Sequence, residues 1–375
     1  MPALRDDIDP EGLLEYSVVF TDRSLNHMSS AFQAVMYDIS ETLREVYAAS
    51  AVAVVPGGGT YAMEAVARQF ASGRRVLVVR NGFFSYRWSQ ILETGGISAE
   101  ATVMKARRAG NAPKAPFAPA PLAEVIARIH DERPEIVFAP HVETSAGVIL
   151  PEDYIAALAA AAHEVGALMV LDCIASGCAW VDMGKTGVDV LISAPQKGWS
   201  APPSAGLVML SERAAQKLEQ TESDSFALNL KTWRNIMAAY EAGGHAYHAT
   251  LPTDALRVFR DTMMEMKAFG LEALRDAQWQ LGHRVRAALA ARGVAPVAAE
   301  GFGAPGVVVS YTDNPEIQSG RAFAAQGVQI AAGVPLKCDE PEGFSTFRLG
   351  LFGFDKLRDV EGTVTRLEAA LDVVL

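Results

Sequence analysis

Three features that this sequence of 375 residues lacks already narrow its function. It has only three cysteines (Cys173, Cys178 and Cys338) and no pair at metal-binding spacing, so we expect reduced thiols and no metal site. No apolar run is long enough to cross a bilayer, because the best candidate, residues 154–171, is interrupted by a histidine and a glutamate. The N-terminus has no apolar segment typical of a signal peptide, and we therefore expect a cytoplasmic protein.

Positive charge is also scarce. The 33 lysines and arginines are outnumbered by 44 aspartates and glutamates, which leaves a formal net charge of −11 and no basic stripe. Such a chain is poorly suited to bind nucleic acid or an anionic membrane. The composition, 50% hydrophobic and 21% charged, is typical of a globular enzyme and excludes a disordered or fibrous chain. We therefore expect small molecules as partners, with no nucleic acid and no membrane.

The order of apolar and helix-like segments predicts the fold. Residues 50–210 alternate between short apolar runs and helix-like stretches, which predicts an α/β fold with a mostly parallel sheet covered on both faces. After residue 250, a long helical region is followed by short strands, as in a smaller α+β domain. We predict a large domain over residues 16–255 and a small C-terminal domain over residues 256–375. Residues 1–15 either pack on the small domain or cross a subunit interface.

Lys197 is the first candidate catalytic residue. It follows an apolar strand, within a run of small and turn-forming residues, Ala194–Ser200. A lysine at the end of a strand reaches into the cleft at the edge of a sheet, and burial there lowers its pKa. The neutral amine then condenses with a carbonyl carbon to form a Schiff base. The alternative is a solvated surface lysine.

Asp172 lies at the end of the apolar run Met169–Asp172, upstream of Lys197. Consecutive βα units place the ends of their strands on the same edge of the sheet, where ligands of open α/β sheets bind. A carboxylate at that edge can pair with a protonated ring nitrogen. The alternative interpretation is a helix N-cap, for which aspartate is favoured.

A glycine-rich turn, Gly57-Gly58-Gly59-Thr60, lies between an apolar run and the start of a helix. Backbone N–H groups at a helix N-terminus bind anions, and glycines allow a phosphate to approach. The turn is neither a dinucleotide-binding fingerprint nor a Walker loop. It therefore indicates a phosphate without identifying the molecule, and a plain tight turn is the alternative.

A lysine for a carbonyl, an aspartate for a ring nitrogen and a glycine loop for a phosphate are the groups that pyridoxal 5′-phosphate requires. The sequence resembles the class V, fold type I aminotransferases that depend on this cofactor, in particular the alanine–glyoxylate and serine–pyruvate branch. The resemblance runs from Asn26 to Phe352. Residues 15–23 depart from it, because the family has a Gly-Pro-rich segment there.

The resemblance assigns roles to further residues. It implies that Phe84 stacks on the pyridine ring, that Ile174 lies under the ring, and that the hydroxyl of Thr144 and the amide of Gln196 contact the cofactor. The complete set of cofactor residues that it implies is Gly58, Gly59, Thr60, Phe84, Thr144, Asp172, Ile174, Gln196, Lys197, Tyr247 and Thr250.

Three of the implied contacts concern the substrate and the neighbouring subunit. Tyr247 and Thr250 match a segment that contacts the cofactor phosphate of the partner, so we expect a homodimer with shared active sites. Arg348 matches the arginine that binds the substrate carboxylate, for which a planar guanidinium is well suited. A structural ion pair is the alternative role for Arg348.

The activity implied by the resemblance is amino transfer. An alanine- or serine-like donor would give its amino group to glyoxylate or pyruvate by a ping-pong mechanism, with Lys197 as the group that moves the proton. One alternative is a lyase or cysteine desulfurase of the same fold, which would need a thiol on a mobile loop, and Cys338 lies close to Arg348 in the sequence. Others are a catalytically silent cofactor-binding protein and a nucleotide-binding protein that uses Gly57-Gly58-Gly59.

Overall fold

The computed structural model describes residues 5–375, which form fourteen helices and fourteen strands. The helices are α1 (Ser30–Tyr47), α2 (Gly59–Phe70), α3 (Phe83–Gly95), α4 (Leu122–Glu132), α5 (Glu152–Glu164), α6 (Met183–Thr186), α7 (Glu212–Glu219), α8 (Leu230–Glu241), α9 (Thr253–Phe269), α10 (Leu271–Ala291), α11 (Pro315–Gln318), α12 (Arg321–Ala324), α13 (Phe354–Leu357) and α14 (Val360–Val374). The strands are β1 (Ala51–Pro56), β2 (Arg75–Arg80), β3 (Glu100–Lys105), β4 (Arg107–Arg108), β5 (Phe117–Ala118), β6 (Ile136–Pro140), β7 (Val142–Glu143), β8 (Val148–Ile149), β9 (Leu168–Asp172), β10 (Val190–Ser193), β11 (Ala205–Leu210), β12 (Val307–Tyr311), β13 (Ala331–Ala332) and β14 (Thr346–Gly350).

Seven strands of the described chain form the central sheet, in the order β1-β11-β10-β9-β6-β2-β3. The strands from β10 to β3 are parallel, and β11 runs antiparallel to both of its neighbours. β6, β9, β10 and β11 are buried along their whole length, which explains why their sequences are uninterrupted apolar runs. The prediction of a mostly parallel sheet covered by helices is confirmed.

The direction of the strands brings five loops to one edge of this sheet. β10 and β9 are parallel and pair Ile192 with Asp172, so the loop that carries Lys197 begins beside Asp172. β11 is antiparallel to both β10 and β1, so β1 points the same way as β10 and delivers the glycine turn to the same edge. The loops after β2 and β6 also open there, because both strands are parallel to β9.

The C-terminal third contains a second sheet of three antiparallel strands, in the order β12-β14-β13. The helical region that precedes it is divided into α9 and α10 at Gly270, whose φ of +110° is unfavourable for any residue with a side chain. Arg348 is the middle residue of β14 and pairs with Val309 on one side and Ala331 on the other. Arg348 therefore belongs to the second sheet, whereas Lys197 follows a strand of the central sheet.

The segment before α1 contains no helix or strand in its described part, residues 5–29. The guanidinium of Arg257 on α9 donates to the carbonyl of Ile8 at 2.8 Å, so this segment contacts α9 of its own chain. The first four residues, which the sequence placed in the same segment, lie outside the described range. No helix in the described part of the chain is both long and apolar enough to span a membrane.

Candidate active site

A cavity of about 200 Å³ lies where the strand ends meet. It brings together eight of the residues that the sequence nominated for the site. Its lining residues are Gly59, Thr60, Met63, Phe84, Arg87, Val142, Thr144, Asp172, Ile174, Ala175, Gln196 and Lys197. Gly58 precedes α2 at the rim as its N-cap residue, and Arg348 approaches from the second sheet. The roles of these residues remain predictions.

Lys197 lies in a tight turn after β10. Its neighbour Gly198 packs against the backbone of Gly177, and a Cβ at position 198 would overlap the carbonyl oxygen of Gly177. Lys197 has no carboxylate within salt-bridge distance in the described chain, and its Nζ lies 5.3 Å from the centre of the Phe352 ring. Burial lowers the pKa of Lys197, and the cations Arg348 and Arg87 lower it further. The turn therefore holds a lysine that gives up its proton more readily than an exposed lysine does.

Asp172 is buried at the end of β9. Its Oδ1 accepts a hydrogen bond from the backbone N–H of Ile174 at 2.9 Å, and no cation pairs with the carboxylate among residues 5–375. Burial raises the pKa of Asp172 to about 7, and the nearby Glu143 adds to the rise. No α-helix begins at Asp172, so the N-cap interpretation is wrong. The next helix, α6, is capped by Asp182 instead.

The glycine turn places a set of backbone donors at the start of α2. The N–H groups of Gly58, Gly59 and Thr60 have no acceptor in the described chain. Gly59 packs against Ile174, and a Cβ on Gly59 would overlap the Ile174 side chain. A Cβ at Gly58 would meet nothing within 4 Å, so open space lies beside the free N–H groups. This geometry is that of an anion site at a helix N-terminus.

Arg348 extends from β14 toward Phe84. Its Nε donates to the carbonyl of Ala332 at 2.8 Å, and its Cζ lies 5.5 Å from the centre of the Phe84 ring. No carboxylate of the described residues pairs with it, so the ion-pair alternative finds no support. Burial lowers the pKa of Arg348 from its usual value, and Glu143 opposes the change. The guanidinium is therefore fixed at Nε and free to bind an anion through its terminal nitrogens.

Two charged residues of the site were missed at the sequence level. Arg87 on α3 donates through Nη1 to Oγ1 of Thr60 at 2.9 Å, and its Cζ lies 5.2 Å from the centre of the Phe84 ring. Its position one helical turn after Phe84 was the signal that could have identified it, because residues three apart share a helix face. Glu143 directly precedes Thr144 and was visible as a carboxylate in an otherwise uncharged run.

Glu143 is fully buried and organises the start of α3. Its carboxylate accepts hydrogen bonds from the backbone N–H of Phe84 at 3.1 Å and from the N–H and hydroxyl of Ser85 at 2.9 and 2.6 Å. The N–H and hydroxyl of Ser145 donate to it at 3.0 and 2.7 Å. Gly82 fits between these groups, because a Cβ there would overlap the Ser145 hydroxyl. Glu143 thus fixes the backbone that carries Phe84.

Tyr247 and Thr250 do not line the cavity of their own chain. They lie in the segment between α8 and α9, with their hydroxyl oxygens 3.3 Å apart, and both side chains are exposed. Because the sequence assigned them to the site of a neighbouring subunit, that assignment remains a prediction.

All three cysteines are free and buried. Cys338 donates through Sγ to the carbonyl of Arg80 at 3.5 Å, and burial raises its pKa to about 12. A buried, protonated thiol does not match the mobile nucleophile that a desulfurase needs. No group of three or more His, Cys, Asp or Glu side chains within residues 5–375 is arranged to hold a metal ion.

Pyridoxal 5′-phosphate fits the cavity on three observations. The buried carboxylate of Asp172 forms no ion pair within residues 5–375, as a site for a protonated ring nitrogen requires. The N–H groups at the start of α2 have no acceptor in the part of the chain that the structure describes, as a phosphate site requires. Oε1 of Gln196, beside Lys197, is buried without a hydrogen-bond donor in the described chain. Each of these groups lacks a partner that this cofactor can supply.

Comparisons with known proteins agree with this chemistry. The family model described as "Aminotransferase class-V" matches residues 13–333. The chain is 28% identical to "Soluble hydrogenase, small subunit" of Synechococcus sp. (strain PCC 6716), over 92% of this chain and 87% of that protein. It is 27% identical to alanine–glyoxylate aminotransferase of Oryctolagus cuniculus, over 66% of this chain and 61% of that protein.

A solved structure of alanine–glyoxylate aminotransferase from Nostoc sp. has the same fold. It superposes with a TM-score of 0.78 at 23% identity and covers 93% of this chain and 89% of its own. The fold, the cavity and the family model over most of the sequence lead to one conclusion: the chain belongs to the class V aminotransferases and is a fold type I enzyme that depends on pyridoxal 5′-phosphate.

Proposed function

We propose that this enzyme moves the amino group of a small, alanine- or serine-like L-amino acid to a small 2-oxo acid such as glyoxylate or pyruvate, by a ping-pong mechanism. The observation that carries the proposal is the position of Lys197, a lysine of lowered pKa without a carboxylate partner, in the same cavity as Asp172. The names of relatives that act on alanine and glyoxylate support the choice of substrates.

Each of the main residues of the site has a separate role in this reaction. Pyridoxal 5′-phosphate, when bound, supplies a carbonyl that condenses with amines and a ring that takes up an electron pair. Asp172 holds the proton on the ring nitrogen through its carboxylate. Arg348 binds the substrate carboxylate through its terminal nitrogens, which fixes the orientation of the α-carbon. Lys197 Nζ takes the proton from the α-carbon of the substrate and delivers it to the carbonyl-derived carbon of the cofactor, C4′, a transfer that a lowered pKa of Lys197 favours.

Seven further residues support the cofactor in this proposal. The cavity has Phe84 and Ile174 among its lining residues, and we assign the stacking position to Phe84 and the position under the ring to Ile174. Thr144 and Gln196 supply polar contacts, with Oε1 of Gln196 as a free acceptor. Gly58, Gly59 and Thr60 hold the phosphate through their N–H groups.

The experiment is a two-stage titration of the purified enzyme. Single amino acids are added first, and the absorption band of the lysine-bound cofactor is followed; glyoxylate or pyruvate is then added to the converted enzyme. We expect alanine or serine to remove the band and the 2-oxo acid to restore it. Release of sulfide from cysteine would instead support a desulfurase. A band that no amino acid alters would support a catalytically silent protein.

A homodimer with shared active sites is part of the proposal. Large apolar side chains are unusually exposed before α1 and between α7 and α9: Tyr16 is 88% exposed, Phe226 76% and Tyr247 55%. Phe20 and Tyr247 both pack on His27, with ring centres 5.5 and 5.3 Å apart, so these two parts of the chain form one surface. A second copy that covers this surface would also bring Tyr247 and Thr250 to the partner's phosphate site.

The domain division and the location complete the proposal. A large domain over residues 16–255 and a small one over residues 256–375 are supported by the two sheets, which occupy residues 51–210 and 307–350. A cytoplasmic location is supported by three cysteines that remain free thiols.

A further inference from the structure

Arg87 is a cation in the active-site cavity to which the catalytic scheme gives no task. It lies half-buried on α3 and forms no ion pair with any carboxylate of residues 5–375. Its one side-chain hydrogen bond to another described residue is from Nη1 to Oγ1 of Thr60, at 2.9 Å. The charge of Arg87 acts on the carboxylate of Asp172 without forming an ion pair, so among the described residues the guanidinium has only a neutral hydroxyl as a hydrogen-bond partner. Its position therefore calls for an anion.

The hydrogen bond to Thr60 shows that Arg87 lies at the end of the cavity where α2 begins. Thr60 is the second residue of α2, and the free N–H groups of Gly58, Gly59 and Thr60 lie in this first turn. The positive end of the α2 dipole and the guanidinium thus meet at Thr60. Two such groups together attract a dianion more strongly than either alone.

Apart from its backbone N–H groups, the glycine turn has few groups that could bind a phosphate. Gly57, Gly58 and Gly59 have no side chains, so the Thr60 hydroxyl is the one side-chain donor of the turn. The space beside Gly58 is open. The other cations at the cavity have different positions: Lys197 follows β10, and Arg348 is held on β14 by its bond to Ala332.

We propose that Arg87 binds the phosphate of pyridoxal 5′-phosphate within its own chain, together with the Thr60 hydroxyl and the N–H groups at the start of α2. A planar guanidinium can donate two parallel hydrogen bonds to phosphate oxygens. Arg87 also faces the Phe84 ring at 5.2 Å, so it links the phosphate end of the site to the predicted stacking residue. The inference rests on the assignment of this cavity to the cofactor and not on the identity of the amino donor.

The test compares the binding of pyridoxal 5′-phosphate with that of pyridoxal, which lacks the phosphate, to the apoenzyme without any amino acid. In Arg87→Gln, we expect the affinity for pyridoxal 5′-phosphate to fall roughly ten- to a hundredfold, as for a lost charge-assisted hydrogen bond, and the affinity for pyridoxal to stay unchanged. Arg87→Lys keeps the charge and should lose less. Arg128→Gln, at an exposed arginine paired with Glu132 on α4, is the matched control and should change neither affinity.

A second measurement detects the phosphate directly. Phosphorus NMR of the bound cofactor should show that its second ionisation moves to higher pH in Arg87→Gln, because the neighbouring positive charge is gone. The proposal is overturned if Arg87→Gln weakens both ligands equally, which would indicate a structural role. It is also overturned if cofactor affinity is unchanged while KM for the amino acid rises, which would place Arg87 on the substrate. Failure of the proposed substrates would leave both measurements unaffected.

Discussion

The backbone N–H of Ile174 donates to Oδ1 of Asp172 at 2.9 Å, and this is the one hydrogen bond that the buried carboxylate receives in the described chain. The residue that we place under the cofactor ring therefore also orients the carboxylate that we assign to the ring nitrogen. One hydrogen bond does not offset burial, and the pKa of Asp172 rises to about 7. Asp172 therefore keeps its proton to a higher pH than an exposed aspartate does.

The stability of the apoprotein should contain a pH-dependent contribution from Asp172. The pKa of this group is about 7 in the fold against 3.8 as its ordinary value, so between these two pH values the native state binds a proton that the unfolded state has released. The contribution is fully present below pH about 4 and is lost as pH rises toward 7. Tm of the wild-type apoprotein, measured across this range, should fall relative to that of Asp172→Asn. Parallel curves for the two proteins would contradict the assignment.

Arg348→Gln should raise the pKa of Lys197. Burial is the main cause of its lowered value and remains, but the guanidinium of Arg348, the second cause, is removed. Labelling the apoenzyme with an amine-specific reagent at a series of pH values, and quantifying the Lys197 peptide by mass spectrometry, should show a midpoint at higher pH. KM for the amino donor should also rise, roughly ten- to a hundredfold, for loss of a bidentate contact. Arg128→Gln is again the control. An unchanged midpoint in Arg348→Gln would show that the charge of Arg348 does not affect the pKa of Lys197.

Glu143→Gln should weaken both the fold and the cofactor site. An amide places two N–H donors against groups that already donate to Glu143, namely the backbone N–H groups of Phe84, Ser85 and Ser145. We expect the free energy of unfolding to fall by about 1–3 kcal/mol, the cost of unsatisfied buried groups. Affinity for pyridoxal 5′-phosphate should fall as well, because Phe84 loses its anchor. Chemical denaturation and cofactor titration measure the two effects. Glu152→Gln, at an exposed position of α5, is the control, and a Glu143→Gln protein as stable as that control would show that the anchor is unimportant.

Mixed dimers should recover activity that neither parent has. The parents are a Lys197→Ala variant and a Tyr247→Phe/Thr250→Ala double variant. Both are assayed at a cofactor concentration too low to saturate the cofactor sites of the double variant. If Tyr247 and Thr250 act across the interface, each mixed dimer has one intact site, and random pairing gives roughly a quarter of wild-type sites. Co-expression of both chains followed by an activity assay tests this. No recovery, with mixed dimers shown to be present by native mass spectrometry, would mean that the two residues do not act in the partner's site.

The central sheet and the meeting of Lys197 with Asp172 were predictable from the sequence, because buried parallel strands are continuous apolar runs and their ends share an edge. Arg87 shares a helix face with Phe84, and this spacing was the available signal, but its hydrogen bond to Thr60 depends on how α3 packs beside α2. The break at Gly270 was missed since a single glycine is tolerated within many helical patterns. Tyr247 and Thr250 are exposed in the single chain, so the role that we propose for them in a partner's site stays a prediction.

The close packing of Gly198 against the Gly177 backbone means that the turns bearing Lys197 and following Asp172 cannot shift independently. Lys197 and Asp172, to which we assign the proton transfer and the ring nitrogen, are therefore coupled in position, and we expect adaptation to a new substrate to come from β14, which carries Arg348. Engineering of donor preference should accordingly begin at β14 and its neighbour Phe352, and leave position 198 as glycine.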